Sequence, residues 1–142
     1  MLRLSTKVQY GVRAMFEIAR DYKTGPITIK EISKRQDVSI SYLEQLLNQL
    51  RKGGLITSQK GPGGGYTLSR KPEEINIGEI LNILEGPIAI TQCLDTTDTS
   101  DCGRVDGCVA RLLWKSLGEK ISGFLTTITL KDLLKEEAKL EG

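Results

Sequence analysis

Apolar residues recur at helical spacing through most of this chain, and the exceptions mark its turns. Val8, Val12, Met15, Phe16 and Ala19 fall on one stripe and predict a first helix over about residues 6–21, capped by Ser5 or Thr6. Gly25-Pro26 breaks the chain. Thr28 and Glu31 are then spaced as a capping box for a short second helix that turns Ile29 and Ile32 inward. After Asp37-Val38 a third helix is expected. Ser41 and Glu44 repeat the box spacing, Ile40, Leu43, Leu46, Leu47 and Leu50 form its stripe, and Gly53-Gly54 ends it.

The pattern then changes to two short extended runs, Leu55-Ile56-Thr57-Ser58 and Tyr66-Thr67-Leu68-Ser69, around Gln59-Lys60-Gly61-Pro62-Gly63-Gly64-Gly65. Glycines there permit a sharp reversal, so the segment predicts a hairpin. Two short helices joined by a tight turn make a helix-turn-helix, and the hairpin behind them makes it a winged helix. A phosphate-cradling loop is rejected, because the glycines lack the Gly-Lys-Ser/Thr ending and no helix follows.

Residues 72–76 read as a connection, and Ile77, Ile80, Leu81 and Leu84 as a fourth helix ending near Gly86-Pro87. Residues 91–107 are polar and read as a loop. A long helix is expected over about residues 108–122, with Val109, Leu112, Leu113, Leu117, Ile121 and Phe124 on its stripe and Trp114 beside it. A last helix follows Thr129, boxed by Asp132. The fold class is therefore mainly α with a small β wing. Residues 1–71 are expected to form a winged helix-turn-helix DNA-binding region, and residues 72–142 the cysteine loop and dimerisation helices of one compact domain.

The long helix is unusually apolar, which predicts a seam with the same helix of a second chain. Paired helix-turn-helix units need a fixed separation to reach two half-sites. Composition agrees. With 39% hydrophobic and 5% aromatic residues the core is lean, and part of its apolar surface can be covered by a second copy. Residues 1–71 carry 13 Lys/Arg against 5 Asp/Glu, and residues 72–142 carry 7 against 13. Only the first half is thus suited to face a polyanion. No apolar run is long enough to span a membrane and the first residues lack a signal-peptide apolar region, so a cytoplasmic protein with reduced thiols is expected.

Cys93, Cys102 and Cys108 are the only cysteines, all within sixteen residues, and the chain has no histidine. Grouped thiolates suit an iron–sulfur cluster or a soft metal. Three is one short of the usual four ligands, so a carboxylate, water, a small thiol or a partner chain must complete the set. Zinc and a thiol redox switch stand as alternatives, although no Cys-x-x-Cys pair is present. Without histidine there is no Cys–His or Ser–His–Asp set, and no enzyme is expected.

Several strings resemble the Rrf-type bacterial winged-helix regulators, especially their iron–sulfur regulator (IscR) branch. They are Met1-Leu2-Arg3-Leu4-Ser5-Thr6-Lys7 with Tyr10; Ser39-Ile40-Ser41-Tyr42-Leu43-Glu44-Gln45-Leu46; Arg51-Lys52-Gly53-Gly54-Leu55; Gly61-Pro62-Gly63-Gly64-Gly65-Tyr66; and Trp114 with Gly123-Phe124-Leu125-Thr126-Thr127-Ile128-Thr129-Leu130. The resemblance covers nearly the whole length. It implies a homodimeric transcription regulator that binds a palindromic operator in double-stranded DNA.

By that resemblance Ser39, Ser41, Tyr42, Glu44 and Gln45 surround the start of the helix that enters the major groove. Glu44 can accept from cytosine and Gln45 can pair with adenine, while the capping box alone would also explain Glu44. Tyr42, Arg51 and Lys52 suit phosphates. Lys60 stands at the wing position that enters the minor groove in relatives, where arginine is usual.

The three cysteines match the family's cluster ligands in order, implying a [2Fe–2S] or [4Fe–4S] cluster that gates DNA binding. Its loss would relax the cysteine loop that leads into the dimer helix. Two departures follow. Arg111 stands where the IscR branch has a histidine ligand, and Val8 where some relatives place a carboxylate. Glu85, Asp95, Asp98, Asp101 and Asp106 are the local candidates for a fourth ligand. The alternative is a winged-helix regulator without a cluster, controlled by thiol redox, zinc, or a protein or metabolite partner.

Overall fold

The computed structural model describes residues 4–86 and 109–141. Helix α1 (Thr6–Arg20) starts at Ser5, whose hydroxyl accepts the Val8 N–H at 3.2 Å. Helix α2 (Ile29–Gln36) starts at Thr28, which accepts from the Glu31 N–H at 3.2 Å. Only half of the expected box forms there, because Glu31 turns its carboxylate to Arg35 Nε, 3.1 Å away.

Helix α3 (Ile40–Lys52) departs from expectation at its start. Its cap is Ser39, in extended backbone, whose hydroxyl accepts the Tyr42 N–H at 3.2 Å. Ser41 is already inside the helix, and Ser41 with Glu44 forms no capping box. Two serines two residues apart both fit a cap by type, and the Asp37 backbone, left-handed at φ 53°, ends α2 where the chain can begin α3 at the first of them. At its other end Gly54 (φ 84°) takes the left-handed position, with Gly54 N–H bonded to Arg51 O and Leu55 N–H to Leu50 O. This closing turn buries Leu55 and aims the chain into the hairpin.

Strands β1 (Ile56–Gln59) and β2 (Gly65–Leu68) pair antiparallel with Ile56 opposite Leu68 and Gln59 opposite Gly65, one residue later than expected for β1 and one earlier for β2. Ile27 bridges to Tyr66 on the other side of β2. A 3-10 turn (Pro72–Glu74) leads to α4 (Ile77–Glu85), closed by a full capping box between Asn76 and Glu79 that the apolar pattern did not flag. Helix α5 (Val109–Thr127) runs five residues beyond its expected end. Gly123 does not stop it, and the Thr126 and Thr127 hydroxyls bond back to Gly123 O and Phe124 O at its last turn. Helix α6 (Leu130–Glu141) begins with the expected box, Thr129 and Asp132 each accepting the other's N–H.

One apolar cluster runs from Val8 through Met15, Ile18, Ile32, Leu43, Leu47, Leu50, Ile56, Ile75 and Ile80 to Leu130. The last of these enters from the far end of the chain. Main-chain bonds Ile77 N–H to Ile128 O (2.8 Å) and Leu130 N–H to Ile75 O (3.0 Å) fasten the α5–α6 junction to the segment between hairpin and α4.

Beside the core, Glu17 is a buried carboxylate, 1% exposed. Arg20 Nη1 lies 3.2 Å and Arg35 Nη1 3.7 Å from its Oε1, while Gln36 donates to its Oε2 at 3.1 Å. Arg20 also pairs with Glu137 of α6, and Arg35 with Asp21. Hydrogen bonding to Asp21, with help from Glu31, raises the Arg35 pKa and keeps it charged. The network joins α1, α2 and α6. Among the described residues no helix is long and apolar enough to cross a membrane.

Candidate nucleic-acid interface

Helix α3 is strongly two-faced. Leu43, Leu46, Leu47 and Leu50 are buried in the cluster. Ser41, Glu44, Gln45, Asn48, Arg51 and Lys52 are exposed along the other side. Burial of four leucines, each contributing about 1.5–3 kcal/mol, fixes the helix so that the polar row is held on a rigid element.

Ser41, Glu44, Gln45, Asn48 and Arg51 line one open depression together with Tyr66 of β2. Ser39 remains at the helix start as its cap. Because Ser39 performs that task, capping does not account for Glu44, whose exposed carboxylate belongs to the depression. The depression thus offers acceptors at Glu44 and donors at Gln45, Asn48 and Arg51.

Tyr42 is not among the lining residues. It is half-buried, packs against the core, and sets its ring edge to face on Tyr10 at 6.0 Å between centroids. The Arg13 guanidinium covers the Tyr10 ring at 5.1 Å. Lys52 is exposed at the last turn of α3, and Lys60 is exposed just past β1.

Two lining residues, Asn48 and Tyr66, escaped the sequence analysis. Asn48 lies four residues after Glu44 and seven after Ser41, the helical repeat of that row, and the spacing alone could have found it. Tyr66 comes from a different element, and no spacing within α3 points to it.

The residues expected to form a dimer seam lie on α5. On α5, Val109 (80%), Leu112 (64%), Leu113 (60%) and Phe124 (63%) are exposed, while Leu117 and Ile121 are half-buried. Helix α5 rests on α4, where a Cβ added at Gly78 would lie 2.9 Å from Thr126 Cγ2. Cys93, Cys102 and Cys108, with Asp95, Asp98, Asp101 and Asp106, lie outside the described residues. Glu85 is described and accepts the Ser5 hydroxyl at 2.5 Å. Val8 is buried in the core. The Arg111 Nε, in the first turn of α5, is buried without a hydrogen-bond partner among the described residues. Among those residues no group of three or more Cys, His, Asp or Glu could hold a metal.

Comparison with known proteins places this geometry. The Rrf2 family model, described as an iron-dependent transcriptional regulator, matches residues 4–136. The HTH-type transcriptional regulator IscR of Klebsiella pneumoniae (strain 342) is 39% identical over 140 residues, 99% of this chain and 84% of that protein. Among solved structures, IscR of T. potens superposes with a TM-score of 0.83 at 38% identity, covering 99% of this chain and 92% of that one. CymR of B. subtilis, titled a global cysteine regulator, superposes at 0.79 with 34% identity, covering 96% and 98%. A winged helix carrying an exposed polar row on α3, matched along nearly its whole length to transcriptional regulators and not to enzymes, belongs to the Rrf2 family of transcriptional regulators.

Proposed function

We propose that this chain is a cytoplasmic, homodimeric regulator that reads a palindromic operator through α3, with its DNA binding gated by an iron–sulfur cluster on Cys93, Cys102 and Cys108. The observation that carries the reading is the exposed row Ser41, Glu44, Gln45, Asn48 and Arg51 on a helix whose opposite face is buried. Within it, Glu44 and Gln45 face base edges, Arg51 and Lys52 take phosphates along with the Tyr42 hydroxyl, and Lys60 follows the wing into the minor groove.

The seam of Val109, Leu112, Leu113, Leu117 and Ile121 supports the dimer, since exposed apolar side chains on one helix are what a second copy would cover. Three thiolates in a chain without histidine form a donor set that fits a cluster. The Nε–H of Arg111, without a partner among the described residues, suits it too: three residues after Cys108, it offers a charged donor to an anionic, thiolate-held group. Arg111 itself holds no metal, because a charged guanidinium has no free lone pair. When bound, the group would supply redox chemistry. The residues of this chain supply the thiolates, the nearby positive charge and the helix that starts next to Cys108.

An anaerobic absorption spectrum, with iron and acid-labile sulfide measured on the same sample, tests the cluster. Duplex binding by the cluster-bound and cluster-free forms tests the gating. Equal affinity and sequence preference in both forms would defeat it.

A second reading keeps DNA binding without the cluster. It is favoured by the likeness to CymR, a cysteine regulator also solved in an oxidised form from Staphylococcus aureus (32% identity, TM-score 0.72, covering 93% of this chain and 95% of that one). A colourless protein that cannot be reconstituted yet binds duplex would select this reading, with thiol oxidation, zinc or a partner as the signal.

A further inference from the structure

Within the depression on α3, the Arg51 guanidinium donates from Nη2 to Asn48 Oδ1 at 2.8 Å. A guanidinium has donors only, so the carboxamide atom facing it must be the oxygen, and the NH2 is the end left over. Among the described residues Arg51 is held by Asn48 and forms no ion pair with Glu44, although all three line the same depression. The Glu44 carboxylate, one turn before Asn48, is left by Arg51 as an acceptor within the depression.

We propose that Asn48, locked by Arg51, is a specificity-determining residue that reads guanine. In the major groove guanine presents two acceptors, N7 and O6, and its cytosine partner presents the N4 donor. With its oxygen held by Arg51, Asn48 presents only the N–H groups of its NH2, which match the N7 and O6 acceptors of guanine, while Arg51 keeps its remaining N–H groups for a phosphate. Glu44 presents acceptors only, the complement of cytosine. A free asparagine would instead offer its oxygen and NH2 together, the complement of adenine. The lock thus shifts Asn48 from the adenine pattern toward the guanine pattern. This inference rests on the proposal that α3 enters the major groove.

The test is selection of binding sites from a randomised duplex pool by the full chain, followed by competition binding with single-base variants of the recovered site. Asn48→Asp keeps an oxygen facing Arg51 and replaces the outward NH2 by a charged carboxylate oxygen, an acceptor, while Asn48→Ala removes the NH2 without adding charge. Asn48→Asp should lose roughly tenfold of the guanine preference at one base pair per half-site, the size of one good base contact. Asn48→Ala should lose it as well, and Arg51→Met should move the preference at that pair from guanine toward adenine. Ratios between sites are read, so a uniform loss of affinity does not mimic the effect. If Asn48→Asp and Asn48→Ala select the wild-type bases with wild-type ratios, the assignment of Asn48 is overturned while α3 remains the reading helix. If the wild-type chain recovers no preferred sequence, the underlying proposal fails before any variant is made.

Discussion

Ile27 and Tyr66 exchange two main-chain hydrogen bonds, Ile27 N–H to Tyr66 O at 3.0 Å and Tyr66 N–H to Ile27 O at 2.7 Å. They stitch the wing to the connection between α1 and α2, thirty-nine residues earlier in the chain. The stitch explains the glycine next to it. Gly65 has φ 144°, and a Cβ there would lie 2.3 Å from Ile27 O, which is backbone and cannot swing aside. Gly65→Ala should therefore cost at least about 1–3 kcal/mol of stability. A urea unfolding curve checks this, and an unchanged midpoint would contradict the close approach.

The two serines at the start of α3 should separate cleanly. Ser39→Ala removes the hydroxyl that accepts the Tyr42 N–H and should cost about 1 kcal/mol of folding stability. Ser41→Ala, on the exposed row, should stay within about 0.5 kcal/mol of the parent and weaken duplex binding instead. Thermal melts and DNA titrations on both variants make the comparison. Equal losses of stability would restore Ser41 as the cap.

If the proposed dimer forms through α5, a charge placed there should dissociate it without unfolding the protomer. Leu113 is 60% exposed, so Leu113→Lys removes little intramolecular packing. Light scattering should find twice the 15.7 kDa chain mass for the parent and the single chain mass for the variant. Helical content should be unchanged, and affinity for a two-half-site duplex should fall by at least about tenfold through lost bivalency. A variant that stays dimeric places the seam elsewhere.

Acid should weaken the junction of α5 and α6. The Thr129 N–H, 2.9 Å from Oδ2, holds the Asp132 carboxyl below its usual range. Glu73 is lowered as well, first by its own backbone N–H and then by Lys131. A carboxyl whose folded value is depressed adds stability that is fully present above its unfolded value, about 4, and is lost as pH falls through the folded value. Unfolding midpoints followed from about pH 6 down to about pH 2.5 should decline below about pH 4, and Asp132→Asn should flatten part of that decline. An identical profile for the variant would remove the box as its source.

Much of this was legible in the chain, because the buried faces are regular. The stripe of Leu43, Leu46, Leu47 and Leu50 and the breaks at Gly25-Pro26 and Gly53-Gly54 located the helix-turn-helix, and the two short extended runs around a glycine-rich reversal located the wing. Where two residues of one type competed, pattern could not choose. Ser39 and Ser41 both suit a cap, and only the way Asp37 closes α2 decides between them. Asn76 carried no apolar signal, and Tyr66 reaches the depression through strand pairing. Contacts between elements distant in sequence, such as Glu17 with Gln36 or Arg20 with Glu137, leave no periodic trace at all.

The seating of Leu130, with no exposed surface, beside Ile75 has a practical consequence. A fragment ending after the hairpin or after α4 would keep every residue of the α3 row and still be damaged. Cut after α4, it would have a leucine-sized hole in its interior, an Ile77 N–H and an Ile75 carbonyl stripped of their partners, and Arg20 robbed of Glu137; cut after the hairpin, it would lose the buried Ile75, Ile77, Ile80, Leu81 and Leu84 as well. Residues 1–71, natural as they look for excision, are thus not a self-sufficient module, and anyone shortening this chain should keep it through α6.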